Sequence, residues 1–356
     1  MFPSRIAYVL RNFPKYSETF IAGELAELRR RGTEIRILAA KRPVEGVRHA
    51  IIAEAGLDRL VTYGLENFPA VMEKFKPELI HAHFATEPTA IAMALGAEFK
   101  LPFTFTAHGY DIRRDPPADF AQRAAAAAAL ITVSQANARS IAKNFDVPID
   151  RINVVPCGID TDRFQPARIS NADLPAVRTP LIVCVARLVP VKNLAMLLQA
   201  CAILSAHGMK FRCVLVGDGD LREELEELRQ KLNLTECVEM TGLAAQSEVL
   251  RWWQRATVAA LSSHDEGMPV SLMEAGACGV PAVATRVGGI PELVEHAVTG
   301  LLTAPGDAQA MADALARILA NPRLAASMGK AARRRVQEKF TLRRQVDQLL
   351  TLWQSC

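Results

Sequence analysis

The chain lacks cysteines spaced as CxxC, has no apolar run of about 18 residues and carries little excess charge. Each absence removes a class of protein. The seven cysteines, Cys157, Cys184, Cys201, Cys213, Cys237, Cys278 and Cys356, are scattered and odd in number, so neither a disulfide framework nor a zinc spacing is indicated. Reduced thiols and a cytoplasmic location are the expectation. The opening MFPSRIAYVL reads as the start of a strand rather than as a signal peptide. A net charge of +4 over 356 residues makes no case for nucleic acid and allows only a mild attraction to phosphate or to an anionic membrane. Half of the residues are hydrophobic, which indicates well-packed globular structure, and the length exceeds what one core usually fills.

What is present is alternation. Short apolar runs, RIAYVL, TEIRILAA, ELIHAHF, FTFTA, LITVS and INVVP, are separated by helical patterns such as FIAGELAELRRRG and PTAIAMALGAEF. After residue 180 the pattern resumes with LIVCVARL, FRCVLVG, CVEMTG, TVAALSS, PAVAT and GLLTA, separated by helical stretches such as LAMLLQACAILSAHG, DLREELEELRQKL and AQAMADALARILA. Strands alternating with helices predict parallel sheets, and twelve strands are too many for one open sheet, so the fold class is α/β with two doubly wound domains. The stretch 165–180, QPARISNADLPAVRTP, has three prolines and no periodicity and is the expected linker. Domains are therefore expected at 1–168 and 169–340, with an amphipathic helix in 341–356. The alanine run 124–129 sits in a helical pattern and is expected to be helix.

In such sheets ligands gather beyond the carboxyl ends of the strands. There HDEGMPVSLMEA, residues 264–275, sets Glu266 and Glu274 eight positions apart. On one continuous helix they would stand about 12 Å apart along the axis, as unrelated surface residues. Proline is tolerated chiefly in a first helical turn, so Pro269 marks the start, with Glu266 in the preceding loop and the helix running Val270 to Cys278. Backbone N–H groups near Pro269, Val270 and Ser271 then form an anion site, with Glu274 one turn deeper. Alone, two glutamates at a helix start signify capping and surface charge. Here Arg187 and Lys192 of ARLVPVKN follow another strand and are suited to a diphosphate. Phosphate flanked by two hydroxylated rings fits the pattern, and a nucleotide diphosphate sugar has that order of parts.

GDGDLREEL is not a dinucleotide fingerprint, because Arg222 stands where the third glycine belongs; a tight turn at Gly217 is the better reading. His108 ends the strand FTFTA beside Gly109, which lets backbone approach a ligand closely. His81 and His83, either side of Ala82, are expected on opposite faces of their strand, and no metal site is expected. The basic run KAARRR, 330–335, is read as a solvated helix face in preference to a contact with lipid headgroups.

With these residues assembled, the sequence resembles glycosyltransferase family 4, retaining enzymes of the GT-B class. The resemblance rests on Glu266 and Glu274 as a Glu-x7-Glu motif, on GGIPELV after it, and on ARLVPVKN, the GDG turn, VVPCGID and TAHGYDI. It implies two Rossmann-like domains facing across a cleft, with a C-terminal helix returning to the first. It also implies a donor site in which Arg187 and Lys192 bind diphosphate, Glu274 the ribose and Glu266 the sugar. Gly217, Gly267, Met268, Pro269 and Val270 would complete that site, and Gly242 and Leu243 would offer backbone contacts to the base. His108, Glu266, Arg187 and Lys192 would serve catalysis, without metal or cofactor. Where many members have a glycine pair after the first strand, this chain has NFPKYSETF, which resembles the exopolysaccharide and colanic-acid branch. Ser17 is expected to cap the following helix, and Ser17, Glu18, His83, Tyr110 and Asp111 are acceptor-side candidates. The implied reaction moves a hexosyl group from a nucleotide sugar, UDP before GDP, to a saccharide or lipid-linked saccharide. A nucleotide-sugar epimerase and a catalytically silent partner in polysaccharide assembly are the rival readings.

Overall fold

The computed structural model describes residues 2–43, 49–167 and 179–356. The domain boundary expected at 168–169, and most of the expected linker, lie outside the described residues. Two compact units form: Met1–Gly158 with Leu342–Cys356, and Ile159–Thr341.

The first unit contains β1 (Arg5–Asn12), β2 (Glu34–Lys41), β3 (Val61–Tyr63), β4 (Leu79–His83), β5 (Phe103–Ala107), β6 (Ala129–Thr132) and β7 (Ile152–Val154). They form one seven-stranded sheet in the order β3-β2-β1-β4-β5-β6-β7, parallel throughout. The second unit contains β8 (Leu181–Val185), β9 (Arg212–Val216), β10 (Val238–Gly242), β11 (Val258–Leu261), β12 (Ala282–Thr285) and β13 (Gly300–Thr303), a parallel sheet in the order β10-β9-β8-β11-β12-β13. The twelve apolar runs all become strands because both faces of a parallel sheet are covered, so each strand must be apolar almost throughout. The thirteenth, β3, is three half-buried residues at a sheet edge, too short to show a period.

Alternation along β1 divides the first core. Ile6, Tyr8 and Leu10 pack on one face with helix Thr19–Arg30, while Ala7 and Val9 pack on the other. The C-terminal helix Leu342–Trp353 joins the first of these faces through Val346, Leu349, Leu350 and Trp353. Its approach is close: a Cβ on Gly23 would lie 3.1 Å from the Leu342 side chain.

Two local expectations change. The alanine run is helix only to Ala126; Ala129 already belongs to β6, and the Ala128 N–H donates to the Phe103 carbonyl. Sheet pairing overrides helix propensity there, as tertiary context commonly does. The basic run 330–335 is only partly a solvated face. Arg333 donates to the Ala277 carbonyl, and Arg335 donates to the Glu292 carbonyl and pairs with Glu295, so both fasten helix Pro322–Lys339 to its own unit. Among the described residues no helix is long and apolar enough to cross a membrane.

Trp353 is 3 % exposed and closes one face of the first core. Trp353→Ala should cost about 3 kcal/mol or more. Urea denaturation with hydrogen exchange on residues 342–353 checks this, and unchanged stability contradicts the packing role.

Candidate active site

In the six-stranded sheet the chain winds outward from β8 to β9 and β10, then crosses back to β11 on the other side. Loops leaving β8 and β11 therefore diverge and open a crevice at their carboxyl ends. Two hydrogen bonds tie these loops together: Ser262 Oγ donates to the Lys192 carbonyl at 2.9 Å, and the His264 N–H donates to the Val191 carbonyl at 2.8 Å. They deliver Lys192 Nζ to Glu266 Oε1 at 2.5 Å, where Ser263 Oγ also donates at 2.7 Å. The GGIPELV segment fixes Glu266 from behind. The Gly289 N–H donates to the Glu266 carbonyl at 3.0 Å, and Gly288, at φ +49°, comes so close that a Cβ would lie 1.8 Å from that oxygen.

Helix Val270–Ala277 begins after Pro269, one residue shorter than expected, with Cys278 as its cap. The Leu272 and Met273 N–H groups bond back to the Pro269 carbonyl, so those of Val270 and Ser271 precede the first helical bond and face outward along the axis. Met268 and Pro269 are buried while Gly267 is half-buried. Glu274, one turn in, is 5 % exposed and meets two side-chain donors, Trp253 Nε1 at a long 3.4 Å and the Gln246 amide. Burial pushes its carboxyl up to about 7, against the opposing effect of Trp253 and Gln246. This group is short of donors. A pair of ligand hydroxyls would supply them and favour the charged form.

Along the same rim, the Gly217 N–H donates to the Gly242 carbonyl at 2.9 Å. Gly217 lies at φ +140°, and a Cβ there would stand 1.9 Å from the Ala186 carbonyl oxygen, so the ends of β8, β9 and β10 meet backbone to backbone. Arg187 and Leu243 are exposed, and Gly242 adopts φ +80°. The structure thus groups Arg187, Lys192, Gly217, Gly242, Leu243, Glu266, Glu274 and residues 267–270 at the strand ends of one unit.

The first unit has a switch point of its own, between β1 and β4, and its side chains differ from expectation. Residues two apart on a strand share a face, so His81 and His83 point the same way, toward Tyr8, with their rings 4.9 Å apart. The expected opposition does not hold, because only adjacent strand residues face opposite sides. His83 is 1 % exposed and lies behind His108, which it meets through Nδ1 to Nε2 at 3.1 Å, so it is not on an acceptor-facing surface. Asp111 is likewise buried, accepting from the backbone N–H groups of Ala85 at 2.7 Å and His108 at 2.9 Å; burial raises its carboxyl to about 6. It braces the ends of β4 and β5. His108 is 8 % exposed, and burial followed by His83 holds its charged form well below the usual histidine range. Tyr110 is exposed. Ser17 does not cap: Glu18 is the residue before helix Thr19–Arg30, no side chain caps it, and Glu18 pairs with Lys15 at 2.7 Å.

Glu24, His81 and His83 each offer a metal-ligating atom within 4.8 Å of the others. Hydrogen bonds already use those atoms. Both His81 nitrogens meet threonine hydroxyls, Thr104 at 2.8 Å and Thr106 at 3.2 Å, and Glu24 Oε1 accepts from Tyr8 and His83. Sequence reasoning passed over Glu24, Tyr8, Ser263, Trp253 and Gly288. Only Gly288 carried a signal, its place in GGIPELV.

Comparison with known proteins places both units in context. The family described as Glycosyl transferases group 1 matches residues 168–335, and Glycosyltransferase Family 4 matches residues 17–163. The amylovoran biosynthesis glycosyltransferase AmsK of Erwinia amylovora is 37% identical over 200 residues, 54% of this chain and 48% of that one. The D-inositol 3-phosphate glycosyltransferase of Frankia alni is 31% identical over 285 residues, 72% of this chain and 70% of that one. The chain spans about half the length of the first relatives it matches. Among solved structures, Anabaena HepE in complex with UDP superposes with a TM-score of 0.81 at 19% identity, over 99% of this chain and all of that one, which fixes the fold as GT-B.

Glu274 yields a pH prediction. Its carboxyl titrates near 7 when folded and near 4.5 when free, so between those values the folded state holds a proton that the unfolded state has lost. Stability therefore falls as pH rises through that window. Glu274→Gln should remove the slope and gain roughly 3 kcal/mol on the parent between pH 4 and pH 8. Urea midpoints at the two pH values measure it; parallel changes in both proteins would sink the assignment.

Proposed function

The chain belongs to glycosyltransferase family 4, the glycosyl transferases group 1, and on that premise we propose that it moves a hexosyl group from UDP-sugar to a saccharide or lipid-linked saccharide in exopolysaccharide synthesis. One observation carries the reading: a lysine held against a buried glutamate at a helix start, with a second buried glutamate, short of donors, one turn inside. Lys192, held against Glu266, would meet a diphosphate bound at the Val270 and Ser271 N–H groups, and the exposed Arg187 would join it there. The leaving diphosphate would then receive its charge compensation from fixed groups that need no rearrangement during the reaction. Glu274 would accept from ribose hydroxyls and Glu266 from the sugar, with Gly242 and Leu243 beside the base.

Retention belongs to the same reading. Glu266 already accepts from Lys192 and Ser263 on one oxygen, which suits a carboxylate that orients hydroxyls better than one that attacks carbon. The expected course is departure and attack on one face of the sugar, with a phosphate oxygen taking the acceptor proton and no resident metal. The choice of UDP follows the UDP complex of HepE, and the exopolysaccharide setting follows the amylovoran-biosynthesis role of AmsK.

A thermal-stabilisation screen of UDP- and GDP-sugars tests the donor. UDP-sugars should stabilise the protein, by about 2.7 kcal/mol at a concentration of 100 times Kd. Lys192→Ala and Glu274→Ala should each abolish most of that shift. Equal stabilisation of parent and variants overturns the site, and stabilisation by GDP-sugars alone overturns the base. Product anomers read by NMR decide retention, and isomerised donor without acceptor would replace transfer by epimerisation.

A further inference from the structure

Behind His108 the first unit buries a line of polar side chains that the donor site does not use. Glu24, on helix Thr19–Arg30, is 1 % exposed, and three donors converge on its carboxylate. Tyr8 Oη donates to Oε1 at 2.7 Å, His83 Nε2 lies 3.1 Å from the same oxygen, and Gln345 Nε2 donates to Oε2 at 2.6 Å. Each donor is constrained. The Tyr8 phenol is buried beside a carboxylate, and both effects keep it protonated. The Gln345 amide cannot turn round, because its oxygen accepts the Gly158 N–H at 2.7 Å.

We propose that Glu24 and His83 are positioning residues which fix the hydrogen of His108 on Nε2 and so leave Nδ1 as an acceptor for a sugar hydroxyl. The inference rests on the reading that His108 serves the reacting sugar. An ionised carboxylate has no hydrogen to give, so the His83–Glu24 contact requires N–H at His83 Nε2. Neutral His83 then carries its lone pair on Nδ1. That nitrogen faces His108 Nε2 at 3.1 Å, so His108 must supply the hydrogen there. Of the four ring nitrogens of His83 and His108, only His108 Nδ1 then keeps a lone pair without a partner in this line.

The rest of His108 is held independently of this line. Its backbone N–H donates to Asp111, its carbonyl accepts from Asn137 Nδ2 at 2.7 Å, and its ring packs against Phe20 and Phe84 at 4.9 and 4.6 Å. Ring position is thus set by packing and main chain, and ring protonation by Glu24 through His83. The carboxylate is locked in turn by the C-terminal helix, through Gln345. A histidine whose remaining nitrogen only accepts selects a ligand hydroxyl over a ligand oxyanion.

The test is a long-range proton–nitrogen NMR spectrum of the full chain with labelled histidine, assigned through single histidine substitutions. The expected wild-type result is His83 and His108 both protonated at Nε2. A hydrogen on His108 Nδ1, as a doubly protonated His83 would impose, overturns the proposal without any variant. Glu24→Gln can turn an amide N–H toward His83; it should drive both rings toward the other tautomer and lower kcat by at least about tenfold with little change in the donor KM. Tyr8→Phe keeps the carboxylate and should leave both tautomers as they were. Wild-type tautomers retained in Glu24→Gln overturn the lock. If the wild-type chain transfers no sugar at all, the functional reading fails while the spectrum still decides the lock.

Discussion

Everything distinctive in this fold depends on the cost of taking carboxylates out of water. An ionised carboxylate in a protein interior must be paired and hydrogen-bonded, or it will shift its pKa and neutralise. Three buried glutamates meet that constraint in three ways. Glu24 is fully satisfied by Tyr8, His83 and Gln345. Glu266 is satisfied on one oxygen by Lys192 and Ser263. Glu274 is served poorly, and its carboxyl rises to about 7. This gradient separates a group that serves the fold and its neighbours from groups that still have bonds to offer a ligand.

The sheets make the gradient possible. Parallel strands with both faces covered leave polar groups little room except at the carboxyl ends, and strand order opens those ends widest beside β8 and β11, and beside β1 and β4. Lys192 and Glu266 span the first of these openings. Tyr8, His83 and Glu24 lie on the strands and helix of the second. Each unit therefore presents its chemistry where its own winding reverses.

Much of this was legible in the order of residues. Apolar runs such as LIVCV and VAAL read as strands because burial on both faces demands them, and Pro269 separated the roles of Glu266 and Glu274 because proline starts a helix more readily than it continues one. Other features depend on contacts that linear spacing does not carry. Glu24 and Gln345 stand 321 residues apart and meet only once the C-terminal helix has docked. The common face of His81 and His83, by contrast, follows from the strand period alone. Ser17 looked like a cap, yet the turn that links Lys15 to Glu18 moved the helix start past it.

The central claim is that Glu274, the helix start with Lys192, and Glu266 receive successive parts of one nucleotide sugar. A crystal structure of the protein with a UDP-sugar tests it most directly. The account predicts ribose hydroxyls on the Glu274 carboxylate, diphosphate oxygens on the Val270 and Ser271 N–H groups and Lys192 Nζ, and the sugar on Glu266. A nucleotide bound elsewhere, or bound here with Glu274 untouched, would contradict it.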